Sequence, residues 1–257
     1  MRDPREWLAT CDAADAEVIS SVDGDRLAAA ASDLAAKVLG RWYWPRFRES
    51  LAAIELTLDV SPPKVIERVM ASEEFSQRVG EDETAVAFCA GVLDLLETSA
   101  GTARGLADVL ARNYLIAVGL PRRSAGLSID HQLEERLFPS GVVELPASEP
   151  GRGELALAHP LVAVELEHDP AATVASIHDC PPDGAPGARL LFLFTEDGAI
   201  EITDEPPLFE VLVTAGEAPC TRDTLVAQFD EEDRELVDEA IEHLVGHGLL
   251  ARGETAG

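Results

Sequence analysis

Between Pro121 and Gly153 the hydrophobic period of this chain changes, and that change restricts its fold more than any other feature. Upstream, apolar residues recur at helical spacing. Downstream, they run in short alternating blocks typical of strands. Asp3-Pro4 supplies a helix start with Pro at the first helical position, and Trp7, Leu8, Cys11, Val18, Ile19 and Val22 follow as a stripe. After Gly24 an Ala-rich helix is expected from Asp25 to Leu39. Pro45 opens a third, carrying Phe47, Leu51, Ile54 and Leu58. Ser61-Pro62-Pro63 breaks that helix and starts another, with Val65, Ile66, Val69 and Met70 expected to be buried. Helices from Asp82 to Thr98 and from Thr102 to Leu120 follow, and Pro121 is expected to end the run.

The stretch from Pro121 to Gly153 holds Pro139, Gly141, Pro146, Pro150 and Gly151 around one short helical piece, Ile129 to Phe138. That density of breakers reads as a boundary. The division expected is a helical domain over 1–120, a linker over 121–154 and a second domain over 155–257. In the second domain Leu161 to Leu166 reads as a strand. Leu190 to Thr195 and Ala199 to Thr203 flank Glu196-Asp197-Gly198, a hairpin signature. Helices are expected over Pro207–Thr214, Arg222–Phe229 (with Thr221 as N-cap) and Glu231–Val245. Gly246 and Gly248 end the last helix, and Leu249-Leu250 returns as a strand. The class is therefore α+β: an N-terminal helical bundle followed by a small winged-helix-like module of a hairpin and three helices.

Charge decides which partners such a module can have. The chain of 257 residues carries 20 basic and 48 acidic residues, a net charge of −28. From Arg189 to the C-terminus there are four arginines against 17 acidic residues, a balance of −13. The third helix holds seven acids and one Arg. A DNA-reading helix needs a cationic face, because phosphate contacts supply most of the affinity. This acidity repels nucleic acid and anionic membrane; it either serves to keep the chain solvated or suits a basic peptide partner. No uncharged run reaches transmembrane length and the start carries no apolar signal region, so a cytoplasmic protein is expected.

Catalytic motifs are missing from the pattern. There is no P-loop, G-x-G-x-x-G, H-E-x-x-H or G-x-S-x-G. Cys11, Cys89, Cys180 and Cys220 are widely spaced and imply no disulfide framework. His178-Asp179-Cys180 is the one short grouping of metal-ligand types, and no further ligands complete it. His243 and His247 stand at i, i+4, where they suit a helix C-terminus. The expectation is no catalytic residue, no metal and no cofactor.

Two features stand apart. Arg41, Trp42, Tyr43, Trp44, Arg46, Phe47 and Arg48 gather three cations and four of the chain's 13 aromatics. Arg and aromatic residues are enriched at interaction hot spots, although the same residues suit a bundle core covered by Arg stems. Asn113-Tyr114 falls near the apolar stripe Leu106, Val109, Leu110, Ala117 and Leu120, where a buried polar network would have to satisfy it.

Short motifs give the layout a family resemblance. Tyr43, Ser50 and Leu51 form a Tyr-x6-Ser-Leu spacing; Pro63-Lys64-Val65-Ile66-Glu67-Arg68-Val69-Met70 leads to Glu74-Phe75; Leu110-Ala111-Arg112 and His159-Pro160 follow. The chain thereby resembles the partner-protein family of multinuclear non-haem iron oxidative enzymes in ribosomal-peptide natural product biosynthesis, the methanobactin-partner type. Asn113-Tyr114 departs from that pattern, which has Leu-Glu there. The resemblance implies a subunit with no active site of its own. Such a subunit would bind a precursor peptide through a PqqD-like, winged-helix recognition module and present it to a non-haem iron oxygenase.

On this reading the peptide adds a strand to the hairpin edge beside the third helix, at Leu190, Phe192, Phe194, Ile200, Glu201 and Ile202. Leu236, Ile241 and Leu244 build the core beneath. Arg41, Trp42, Tyr43, Trp44, Arg46 and Arg48 contact the enzyme partner. The alternatives are a winged-helix transcription regulator, favoured by topology and opposed by charge, and a stand-alone enzyme of unknown type.

Overall fold

The computed structural model describes residues 46–70, 81–99, 105–176, 187–195, 198–202 and 207–253. The helices expected before Pro45, the residues Arg41, Trp42, Tyr43 and Trp44, the Glu74-Phe75 pair and the His178–Cys180 grouping lie outside the described residues. The chain divides into two compact units: residues up to Arg122 with Pro170–Asp183, and Arg123–Asp169 with the chain from Gly184 onward.

The first unit contains α1 (Arg48–Leu58), α2 (Pro62–Met70), α3 (Glu81–Thr98), α4 (Leu106–Tyr114) and α7 (Pro170–Ser176). Helix α1 packs on α2 and α4, α3 on α2 and α4, and α7 on α4. Helix α1 ends where Asp59 turns left-handed at φ 53° and donates its N–H to Glu55 O. Pro62, with no N–H to leave unpaired, then sits at the first position of α2. Pro62, Val65, Ile66 and Val69 form its buried stripe, while Met70 is only half-buried. Phe47 is fully buried, and its ring lies 5.3 Å from that of Phe88. Burial of one such side chain stabilises by about 1.5–3 kcal/mol.

Pro121 does not end the helical run as its type suggests. After α4 the turn Leu115–Gly119 widens to π geometry, with Leu120 N–H donating to Leu115 O, and the chain continues as α5 (Leu120–Ser124). A proline inside a helix lacks an N–H and presses on the carbonyl four residues back. The wider turn just before it makes room for the ring. At the other end of α4, Gly105 has φ +83°, and a Cβ there would stand 2.8 Å from Thr173 Oγ1 of α7. Glycine is the residue that permits both the backbone angle and the close helix approach.

In the second unit two antiparallel sheets share one core with three helices. Strands β1 (Val142–Leu145), β3 (Leu161–Leu166), β4 (Ala188–Thr195) and β5 (Gly198–Ile202) form a sheet of order β1-β3-β4-β5. Strands β2 (Glu154–Leu157), β6 (Cys220–Thr221) and β7 (Leu250–Arg252) form a second sheet of order β6-β2-β7. Helices α8 (Leu208–Glu217), α9 (Arg222–Val226) and α10 (Arg234–Gly246) complete it. Leu161, Ala163, Leu191 and Leu193 of the first sheet meet Leu155, Leu157, Val211, Leu212, Val237, Ile241 and Leu250 in one cluster. Thr221 caps α9, its hydroxyl accepting from Thr224 N–H.

The expected hairpin therefore joins the four-stranded sheet, and the three helices carry a separate sheet closed by β2. The stretch read as a linker is built into this unit. Asp130 caps α6 (His131–Leu137) by accepting from Leu133 N–H at 3.1 Å, and β1 pairs along its whole length with β3. Arg123 of α5 binds Glu134 of α6 through two bonds of 2.8 and 2.7 Å and Glu144 of β1 at 2.7 Å.

Candidate functional site

The sheet edge at β5 is the part of the expected site that the geometry leaves accessible. Strand β4 pairs with β3 on one side and β5 on the other. A strand has two hydrogen-bonding edges, and both of its edges are used. Leu190, Phe192 and Phe194 thus have no backbone edge to offer an added strand, contrary to the sequence expectation. Leu190 and Phe192 are also buried. Strand β5 differs: among the described residues no strand pairs with its outer edge. Its register places Ile200 opposite Leu193, Glu201 opposite Phe192 and Ile202 opposite Leu191. Residues directly opposite share a face, so Ile200 and Ile202 face the core side and Glu201 the other. Ile202 packs against the core, whereas Ile200 is 46% exposed and Glu201 is exposed.

Helix α10 is the second expected element. Val237, Ala240, Ile241 and Leu244 make its buried stripe, and Leu236 is 54% exposed. Leu236 was expected in the core. One residue's rotation about the helix, roughly 100°, turns it out where Val237 turns in. Glu231, Glu232, Glu235, Glu239 and Glu242 are exposed. The helix lies against α8, α9 and β7. The strand and the helix of the expected groove thus belong to different layers.

Two of the cations at α10, Arg222 and Arg252, are engaged within the unit. Arg222 donates from Nε to Asp238 Oδ1 at 2.8 Å and from Nη1 to Glu242 Oε1, and Arg252 of β7 donates to the same Glu242 oxygen at 2.9 Å. The Arg252 hydrogen bond and charge, with Arg222 beside it, hold the Glu242 carboxyl below the usual carboxylate range. The hydrogen bond to Asp238 chiefly raises the Arg222 guanidinium in turn.

The histidine pair turns inward on itself. The His243 and His247 rings lie 4.2 Å apart, and His247 Nδ1 is 2.8 Å from His243 O. No group of three or more His, Cys, Asp or Glu suited to a metal occurs among the described residues. Burial pushes the Cys89 thiol well up; burial and then the Glu154 charge raise that of Cys220. Neither is an activated thiolate of the kind a nucleophilic cysteine needs.

In the first unit Asn113 closes a buried network. Its Oδ1 accepts from Ser50 Oγ at 2.7 Å and Ser50 N–H at 3.2 Å, and its Nδ2 donates to Glu49 Oε2, which also accepts from Arg112. This joins α1 to α4 and is structural in kind. Arg46 and Arg48 are exposed, with Phe47 between them in the core. No helix among the described residues is long and apolar enough to cross a membrane. Comparison with family models, curated proteins and solved structures found no match to this chain.

Proposed function

We propose that this chain is a non-catalytic recognition subunit that captures a precursor peptide by strand addition and presents it to a multinuclear non-haem iron oxygenase. The observation that carries the peptide half is the outer edge of β5, which no strand among the described residues pairs with and which bears the exposed Ile200. Main-chain hydrogen bonds along such an edge supply affinity, and alternate side chains supply specificity. The enzyme half rests on the sequence resemblance, with Arg46 and Arg48 as the described part of the docking segment and a helical bundle carrying it. In this reading α8, β6, α9, α10 and β7 make a winged-helix module, with β2 as its third strand.

That same order of elements favours a second reading, a winged-helix transcription regulator. Against it, Arg222 and Arg252 are tied to Asp238 and Glu242, and the face of α10 is acidic. The test is co-purification of the full chain with a candidate iron oxygenase and its precursor peptide, beside a duplex-shift assay at low and high salt. Retention of peptide and enzyme, with no salt-sensitive shift, supports the recognition subunit. A shift that weakens steeply with salt, with no peptide retained, establishes the regulator instead.

A further inference from the structure

We infer that His243 and His247, at the C-terminal end of α10, form a two-point chelating site for a divalent first-row transition ion. This site is independent of the peptide reading, which involves β5 and none of these residues. The two side chains are four residues apart in sequence, so they lie one above the other on one helix face. Both are exposed, and their ring centroids stand 4.2 Å apart with the planes tilted by 36°. Imidazole nitrogens bind zinc at about 2.0–2.1 Å, which sets two such ligands about 3 Å from each other. A turn of the His243 side chain closes that gap.

Spacing alone suits such a pair to a helix end; the hydrogen bonding of His247 makes it a ligand set. His247 Nδ1 lies 2.8 Å from His243 O, and His247 N–H donates to the same oxygen at 3.0 Å. A carbonyl oxygen only accepts, so Nδ1 carries the ring proton. In the neutral ring the lone pair is then on Nε2. A ring that donates one nitrogen to a backbone carbonyl and offers the other is the usual arrangement of a metal-bound histidine. The surroundings favour a cation. The last carbonyls of a helix carry partial negative charge, and Glu239, one turn before His243, is exposed. Two protein ligands are fewer than the three or four of a catalytic or structural zinc. Water completes the coordination, and the ion is exchangeable. Imidazole selects copper, zinc or nickel over magnesium or calcium.

Calorimetric titration of the full chain with Zn²⁺ under excess Mg²⁺ tests this, because Mg²⁺ occupies the carboxylates that would otherwise hold Zn²⁺ by charge. The parent should show one Zn²⁺ site that His243→Gln and His247→Gln each weaken at least about tenfold, the loss that even an outer partner of a metal ligand causes. His131→Gln, which removes an exposed histidine of α6, should leave that site as it is. Cu²⁺ should bind the parent more tightly than Zn²⁺ does. Its electron paramagnetic resonance spectrum should show coupling to two nitrogens, reduced in either variant of the pair. Zn²⁺ uptake that is equal in the parent and both variants overturns the inference. So does a loss of the same size with His131→Gln, or uptake that excess Mg²⁺ abolishes, which would mark binding by surface carboxylates. Unchanged circular dichroism of the variants excludes misfolding as the cause.

Discussion

Arg123→Met should be among the most damaging single changes in the second unit. The Arg123 and Glu134 side chains are only 7% and 8% exposed, and they meet through two parallel hydrogen bonds. Desolvation works against the Arg123 charge, and the hydrogen bonds and charges of Glu134 and Glu144 outweigh it. Removing the guanidinium leaves Glu134 buried without its counter-charge. Breaking a buried pair in this way costs about 3–5 kcal/mol. Glu144 is 56% exposed, so Glu144→Gln should cost only about 0–1 kcal/mol. Replacing both buried partners, Arg123→Met with Glu134→Leu, removes the stranded charge and should recover most of the loss. Urea unfolding followed by circular dichroism measures the differences. Amide exchange in α6 and β1 assigns them to this unit, because the chain has no Trp from Arg123 onward to report on it. A cost below about 1 kcal/mol for Arg123→Met would refute the reasoning, since that is the range of an exposed pair. So would a double variant no more stable than the single one.

In the first unit Asn113→Ala should destabilise by about 1–3 kcal/mol, because it strands the buried Ser50 N–H, while the Ser50 hydroxyl keeps Val109 O as an acceptor at 3.3 Å; the denaturant midpoint checks this. Gly105→Ala should cost more than about 1 kcal/mol, from its φ of +83° and the contact with Thr173, and Thr173→Ser should not relieve the backbone share. The lowered Glu242 carboxyl contributes stability that is present above the unfolded carboxylate pKa and lost as pH falls through the folded one. Thermal scans from neutral pH into the acid range should therefore show Glu242→Gln converging with the parent at low pH and less stable near neutrality, with a smaller gap in high salt.

Much of the second unit was legible from local pattern. The run Leu161 to Leu166, the hairpin about Glu196-Asp197-Gly198, the cap at Thr221 and the stripe Ile241–Leu244 each depend on neighbours in the chain, and the structure has them at those positions. The acid load likewise follows from composition. Tertiary structure decided what local pattern could not. Val142–Leu145 is fenced by Gly141 and Pro146, and Glu-Leu-Ala-Leu at 154–157 has no strand propensity to speak of. Both become strands because β3, β6 and β7 offer them hydrogen-bonding edges. Pro121 stays within a helix because a π turn precedes it. Which strand of the hairpin keeps an open edge is a property of sheet order, not of either strand's residues. Leu190, Phe192 and Phe194 were therefore read as available, although both edges of their strand are paired. Residues far apart in sequence make that choice, and a local pattern holds no record of them.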